Sequence, residues 1–178
     1  TFLKKKASAS VGAFFNIQSI KGSVMNNSLK GNLLVLGQFI LLGLLILYPS
    51  SSLSYGSFAI VVTLVIAVLL AMGLVILGLS FLALGKSLTA HPIPAKQGEL
   101  VTDGLYRFTR HPIYTGVLAI GLAMTLSGGL FPHVLFFIAL VVLLNYKASF
   151  EEQLLRARYV DYASYAEKTG RFLPKLKR

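Results

Sequence analysis

Residues 113–146 read IYTGVLAIGLAMTLSGGLFPHVLFFIALVVLLNY, without a single Asp, Glu, Lys or Arg. Ser127-Gly128-Gly129 in the middle is a tight-turn signal, so the run divides into two apolar arms, 112–126 and 130–146. Pro112 suits the first turn of a helix, where its missing N–H is not needed. A hairpin that crosses a membrane twice returns its two ends to one face. The preceding end is Leu100-Val101-Thr102-Asp103-Gly104-Leu105-Tyr106-Arg107-Phe108-Thr109-Arg110-His111-Pro112-Ile113-Tyr114. The following end is Phe150-Glu151-Glu152-Gln153-Leu154-Leu155, continued by Arg158-Tyr159-Val160-Asp161-Tyr162-Ala163-Ser164-Tyr165 and Arg171-Phe172-Leu173-Pro174. Two polar clusters are thereby brought together as one candidate site.

The rest of the chain agrees with a membrane setting. Of 178 residues, 55% are hydrophobic and only 13% are charged, with a net charge of +11. Soluble domains carry about a quarter charged residues. The absence of cysteine removes disulfides and thiolate chemistry. The basic balance sits beside apolar spans, so its expected partner is an anionic lipid surface and not nucleic acid.

Two further spans precede the hairpin, 31–48 and 57–84, giving four in all and an all-α integral membrane protein. A helical bundle in water leaves the uncharged run 57–84 unexplained. Gly73 and Gly78 within it are candidates for close helix approach. Residues 1–30 form a basic, polar, acid-free arm, and 31–178 form the membrane domain. The arm resembles either the remnant of an organellar transit peptide, pointing to a plastid membrane, or a trimmed bacterial arm. With four crossings, the arm, the 85–112 loop and the tail share one face, and every charged residue falls on that side. By the positive-inside rule it is the cytosolic, stromal or matrix side, holding both termini. The tail from Lys147 to Lys168 reads as an amphipathic helix on that face, with Leu154, Leu155, Tyr159, Tyr162 and Tyr165 on one stripe.

The polar residues suggest chemistry but leave alternatives. Pro92 and Pro94 hold the loop extended, and Arg107, Arg110 and His111 gather at the mouth of the third span with Tyr114 one turn inside. That set suits an anionic ligand, and equally a basic collar meeting headgroups. Glu151 and Glu152, as helical neighbours, diverge by about 100°. They are therefore not a shared-proton pair: one can enter a site while the other meets solvent, Arg156 or Lys147. A carboxylate at the mouth of an apolar cavity can support a sulfonium or ammonium, helped by the faces of Tyr162 and Tyr165; the same pair also reads as exposed acids in a basic tail. His91 and His133 lack acid or thiol partners, so no metal site is expected.

Three stretches carry a resemblance: Leu84-Gly85-Lys86-Ser87-Leu88-Thr89, Gly98-Glu99-Leu100-Val101-Thr102-Asp103-Gly104-Leu105-Tyr106 and Arg110-His111-Pro112-Ile113-Tyr114-Thr115-Gly116. Together with Glu151-Glu152, Tyr159, Tyr162, Tyr165 and Arg171-Phe172-Leu173-Pro174, in that order, they resemble the isoprenylcysteine carboxyl methyltransferase family within the wider phospholipid methyltransferase group. The resemblance covers about Leu84 to Pro174. It implies a helical membrane enzyme that uses S-adenosylmethionine and takes a lipophilic or prenylated substrate laterally from the bilayer. It assigns cofactor contacts to His111 and Tyr114, with Glu151 or Glu152 closing the site and Tyr162 and Tyr165 beside it, and substrate-carboxylate orientation to Arg110 and Arg171. His91 departs from the apolar or aromatic residue of relatives, and Val160 stands where relatives often have Gly or Pro, which implies a different bend in the tail. A second expectation stands beside the enzyme: a catalytically silent homologue serving as a structural subunit of a larger membrane complex that contacts the amino arm.

Overall fold

The computed structural model describes residues 27–49, 55–87, 98–129 and 131–175. Residues 1–26, 50–54, 88–97, 130 and 176–178, with His91, Pro92 and Pro94 among them, lie outside the described residues. Five α-helices follow in order: α1 (Asn27–Leu47), α2 (Ala59–Leu84), α3 (Pro112–Ser127), α4 (His133–Arg158) and α5 (Tyr162–Lys168). The expected all-α architecture is what is observed. Among the described residues the only β pairing is an isolated parallel bridge between Thr109 and Gly170.

Helix boundaries differ from hydropathy boundaries at two places. The first helix begins at Asn27, inside the stretch assigned to the polar arm. The last long helix does not stop with its apolar run at Tyr146 but continues unbroken to Arg158. Lys147 through Arg158 contains no Gly or Pro and is rich in Ala, Leu, Glu, Gln, Lys and Arg, so nothing interrupts the hydrogen-bond ladder. The apolar run marks the end of one environment, not the end of the helix. The interfacial helix expected over Lys147 to Lys168 is thus two helices, broken where Tyr159 takes an extended conformation (φ −115°, ψ 118°). At that break the Tyr159 hydroxyl donates to the Gly98 carbonyl (2.6 Å), and Val160 is 95% exposed. A bend exists there even with Val at that position, because a long-range bond draws the chain out of helix.

Among the described residues three helical segments are long and apolar enough to cross a membrane, Asn27–Leu47, Gly56–Leu84 and His133–Arg158, as in an integral membrane protein. The fourth expected span, α3, has 16 residues. At 1.5 Å per residue it reaches about 24 Å, short of a hydrocarbon core about 30 Å thick.

Small residues set the helix order. An ideal Cβ on Gly73 would lie 2.9 Å from the Gly116 carbonyl oxygen, and one on Gly116 would lie 2.9 Å from that of Gly73. Backbone therefore meets backbone between α2 and α3, the kind of approach that apolar helices use where lipid removes the hydrophobic drive. Gly78 plays no such part, since its Cβ would meet nothing within 4 Å. Gly121 receives Phe137 and Leu140 of α4, and Gly37 of α1 receives Leu143. The core formed by Leu45, Tyr114, Val117, Leu140, Leu144 and Ala148 consequently lies among α1, α3 and α4.

The two ends of this bundle are chemically unlike. At one end Tyr55 donates to the Leu126 carbonyl (2.6 Å) and Tyr48 meets His133 and Phe136 edge-on. The opposite end gathers the loop before α3, the charged half of α4, α5 and Lys30, whose ammonium lies over the Tyr146 and Phe150 rings.

Candidate functional site

The mouth of α3 is held by two strands of irregular chain. Gly104, at φ +58°, opens a turn of 3-10 helix (Gly104–Arg107). The tail then runs beside it: Arg110 N–H donates to the Gly170 carbonyl (2.8 Å), His111 N–H to that of Arg171 (3.0 Å), and the Thr115 hydroxyl to that of Phe172 (2.6 Å). Gly170 is required here because any Cβ would run into the Leu173 carbonyl oxygen. These bonds explain why Arg171-Phe172-Leu173-Pro174 matters at a distance of sixty residues from Arg110. They fix where His111 enters the helix.

His111 joins the two acids. Its Nε2 lies 3.2 Å from Glu152 Oε1 and its Nδ1 lies 3.5 Å from Glu151 Oε2. The divergence of adjacent helical residues is preserved, and a single imidazole between them offers one nitrogen to each. Both acids thus turn inward, although solvent remained an option for either on spacing alone. Burial alone would depress the His111 pKa, but the hydrogen bonds and charges of Glu151 and Glu152 overcome it and hold the imidazole above its ordinary value.

The acids then part in role. Glu152, 5% exposed, accepts from Arg110 Nε (3.1 Å), Arg171 Nε (3.1 Å) and Arg171 Nη2 (3.0 Å). Arg110 also donates to the carbonyls of Ala166 (2.9 Å) and Thr169, and Arg171 to Asn145 (2.9 Å) and Ser149 (3.1 Å). The two guanidiniums assigned to a substrate carboxylate are therefore engaged with Glu152; Arg110 still lines the adjoining cavity, whereas Glu152 and Arg171 do not. Glu151 does line it, held by the Tyr114 hydroxyl at 2.8 Å. Tyr114 stacks parallel to His111 with ring centroids 5.2 Å apart, and Phe172 meets both rings edge-on.

The cavity has a volume of about 310 Å³, at the lower end for small-molecule sites. Its polar pole is walled by His111, Tyr114, Glu151, Tyr106, Tyr159, Tyr162 and Tyr165, and its apolar pole by Val35 and Phe39 of α1 and Phe81 and Leu84 of α2. Two of the tyrosines are spent on the wall itself: Tyr165 donates to the Tyr106 carbonyl (2.7 Å) and Tyr159 to that of Gly98. Tyr162 is 1% exposed, and its hydroxyl has no partner among the described residues. Burial pushes the Tyr165 hydroxyl up to about 12, against Arg110, and pushes those of Tyr106 and Tyr162 well up. The rings of Tyr106, Tyr162 and Tyr165 are therefore those of neutral phenols at physiological pH.

Sequence reasoning overlooked the contribution of α1. Val35, Gln38 and Phe39 line the cavity, as does Lys147. The available signals were a glutamine inside an apolar span and a lysine immediately after one. Among the described residues no group of three or more His, Cys, Asp or Glu side chains is placed to hold a metal ion.

Comparison with known proteins gives this site a lineage. The chain is similar to the cobalt-zinc-cadmium resistance protein CzcN of Cupriavidus metallidurans, 36% identical over 115 residues, which is 61% of this chain and 50% of CzcN. It thus spans about half the length of the curated relative it matches. The model of the phospholipid methyltransferase family matches residues 61–161, from α2 through the charged loop and α3 to the end of α4. That match covers more than half of the sequence, with the first polar cluster and the second as far as Asp161, and the chain belongs to the phospholipid methyltransferase family, which includes the isoprenylcysteine carboxyl methyltransferases.

Proposed function

We propose that the cavity binds S-adenosylmethionine and transfers its methyl group to a lipophilic acceptor. The observation that supports this most is the polar pole: the Glu151 carboxylate among tyrosine faces, near a buried Tyr162 hydroxyl that has no partner among the described residues. Aromatic faces and a carboxylate together suit a sulfonium, and an orphaned buried hydroxyl suits a ligand acceptor atom. The bound cofactor supplies a methyl carbon activated by positive sulfur, which the acceptor's lone pair takes as the carbon–sulfur electron pair returns to sulfur.

The protein's own residues bind, orient and exclude water. Glu151, held by Tyr114 and His111, faces the sulfonium pole, and Glu152 with Arg110 and Arg171 keeps the His111 ring in place. No residue has to form a covalent bond, and a carboxylate acceptor needs no base, so approach geometry and desolvation carry the rate. The acceptor enters between α1 and α2, where Phe39 and Phe81 line the cavity and are also exposed on the outside of the bundle. In this reading α3 crosses with the other three long helices, and the charged end faces the cytosol or its organellar equivalent.

Calorimetry with S-adenosylhomocysteine tests the reading. Saturable binding is expected, weakened about tenfold in Glu151→Gln, a change of about 1.4 kcal/mol. Absence of saturable binding to the wild-type protein refutes it and leaves the structural-subunit alternative.

A further inference from the structure

Lys147 is a charged cavity residue to which the cofactor reading gives no role. It sits on α4 one turn before Glu151, on the same face and about 6 Å deeper toward the apolar end. It is 4% exposed. Its ammonium donates to Gln38 Oε1 (2.7 Å) and lies 5.1 Å from the centre of the Tyr114 ring. Arg110, His111 and Arg171 each form ion pairs with Glu151 or Glu152. Lys147 takes part in none of them.

An ammonium at the apolar end of a membrane-embedded cavity is costly, and a neutral amide and a ring face offset the cost only in part. The neighbouring cations meet Glu151 or Glu152 within ion-pair distance, whereas Lys147, attracted by Glu151 only from farther away, lines the cavity with its ammonium held by the neutral Gln38. We propose that Lys147 is the specificity-determining residue for the acceptor: it binds an anionic oxygen group, carboxylate or phosphate, on a molecule whose apolar chain lies against Phe39 and Phe81. A cationic headgroup would meet like charge at that point, so the residue selects acceptors by sign. Lys147 orients and takes no part in bond making. The assignment rests on reading this cavity as the methyl-transfer site, but anion binding can be measured without cofactor or turnover.

The test uses the purified full chain in neutral maltoside micelles, with thermal unfolding followed by circular dichroism. Dodecyl phosphate and dodecanoate are titrated separately, against dodecanol, dodecyltrimethylammonium and inorganic phosphate. Saturable upward shifts are expected for the two anionic amphiphiles alone, and their relative half-saturation distinguishes phosphate from carboxylate. Inorganic phosphate giving the same curve would move the site from a lipid headgroup to a free anion and overturn the apolar-chain part of the proposal. Lys147→Gln is expected to raise the half-saturation point at least about tenfold, and Lys147→Arg to restore it to within about threefold of wild type. Equal shifts from dodecanol, or a Lys147→Gln protein that titrates like wild type, would overturn the proposal. Should Lys147→Gln fail to unfold cooperatively, Gln38→Leu and the wild-type contrast between dodecyl phosphate and dodecanol decide it in the same way. S-adenosylhomocysteine binding, measured in parallel on the wild type, separates the two readings. Cofactor binding without anion selectivity overturns the role of Lys147 alone, and anion selectivity without cofactor binding overturns the methyltransferase reading and with it the acceptor role, leaving Lys147 an anion-binding residue.

Discussion

Glu151 and Glu152 are neighbours of one chemical type, and the structure gives them opposite work. Converting each to glutamine should separate stability from ligand binding. Glu152 is the common acceptor for Arg110, Arg171 and His111, with two parallel bonds to Arg171. In Glu152→Gln an amide nitrogen replaces one acceptor oxygen and points a donor at a donor, while two guanidiniums lose their counter-charge. Removing one partner of a buried ion pair costs about 3–5 kcal/mol. The lower end applies, because the Arg171 side chain is 31% exposed and partly screened. A loss of about 3 kcal/mol in a chain of this size lowers the thermal midpoint by about 6–12 °C. Glu151 keeps its bond from Tyr114 as a glutamine and is more exposed (28%), so Glu151→Gln should lose less than about 1 kcal/mol, or under about 4 °C. Circular dichroism at 222 nm or tyrosine emission reads both, the chain having no tryptophan. Equal midpoints for the two variants, or a larger loss in Glu151→Gln, would refute the division of labour between the acids.

Two other expectations come from the same geometry. The His111 pKa is raised in the folded protein by Glu151 and Glu152, so its stabilising contribution is complete below the free-histidine value of about 6.5 and is lost as pH rises through the elevated folded value. Thermal midpoints should therefore fall from neutral toward alkaline pH in the wild type and fall less in His111→Gln; identical slopes would count against an imidazolium between the acids. Gly73→Val should destabilise by about 1–3 kcal/mol, since its side chain meets the Gly116 backbone, whereas Gly78→Ala should be neutral or gain up to about 1 kcal/mol of helix propensity. Unfolding midpoints of the two proteins, measured side by side, should differ in that direction.

Much of the fold is legible in the chain because lipid imposes a simple rule: apolar runs become helices, since no other local structure satisfies their backbone. Pro112 marks the start of α3 to the residue, and the all-α class needs only the length of the runs. Hydropathy could not place the end of α4, because the helix continues from apolar into polar surroundings without a break in propensity. The break at Tyr159 depends on a bond to Gly98, sixty-one residues away, which no local pattern carries. Gly73 and Gly78 look alike in sequence, and only Gly73 faces another helix.

The candidate site divides in the same way. Composition, the uncharged hairpin and the order of Arg110, His111, Tyr114, Glu151, Glu152, Tyr162, Tyr165 and Arg171 suffice to bring those residues to one end of a helical bundle, because a hairpin of two helices returns its two ends to the same side. Their roles are decided by distances of 3 Å. Tertiary structure alone engages Arg110 and Arg171 with Glu152, leaves Glu151 lining the cavity, and brings Gln38 from α1 to Lys147. Spacing along one helix fixes direction to within a turn, but which of several like-charged neighbours meets a given partner depends on packing between helices, and that is not a property of any one stretch of sequence.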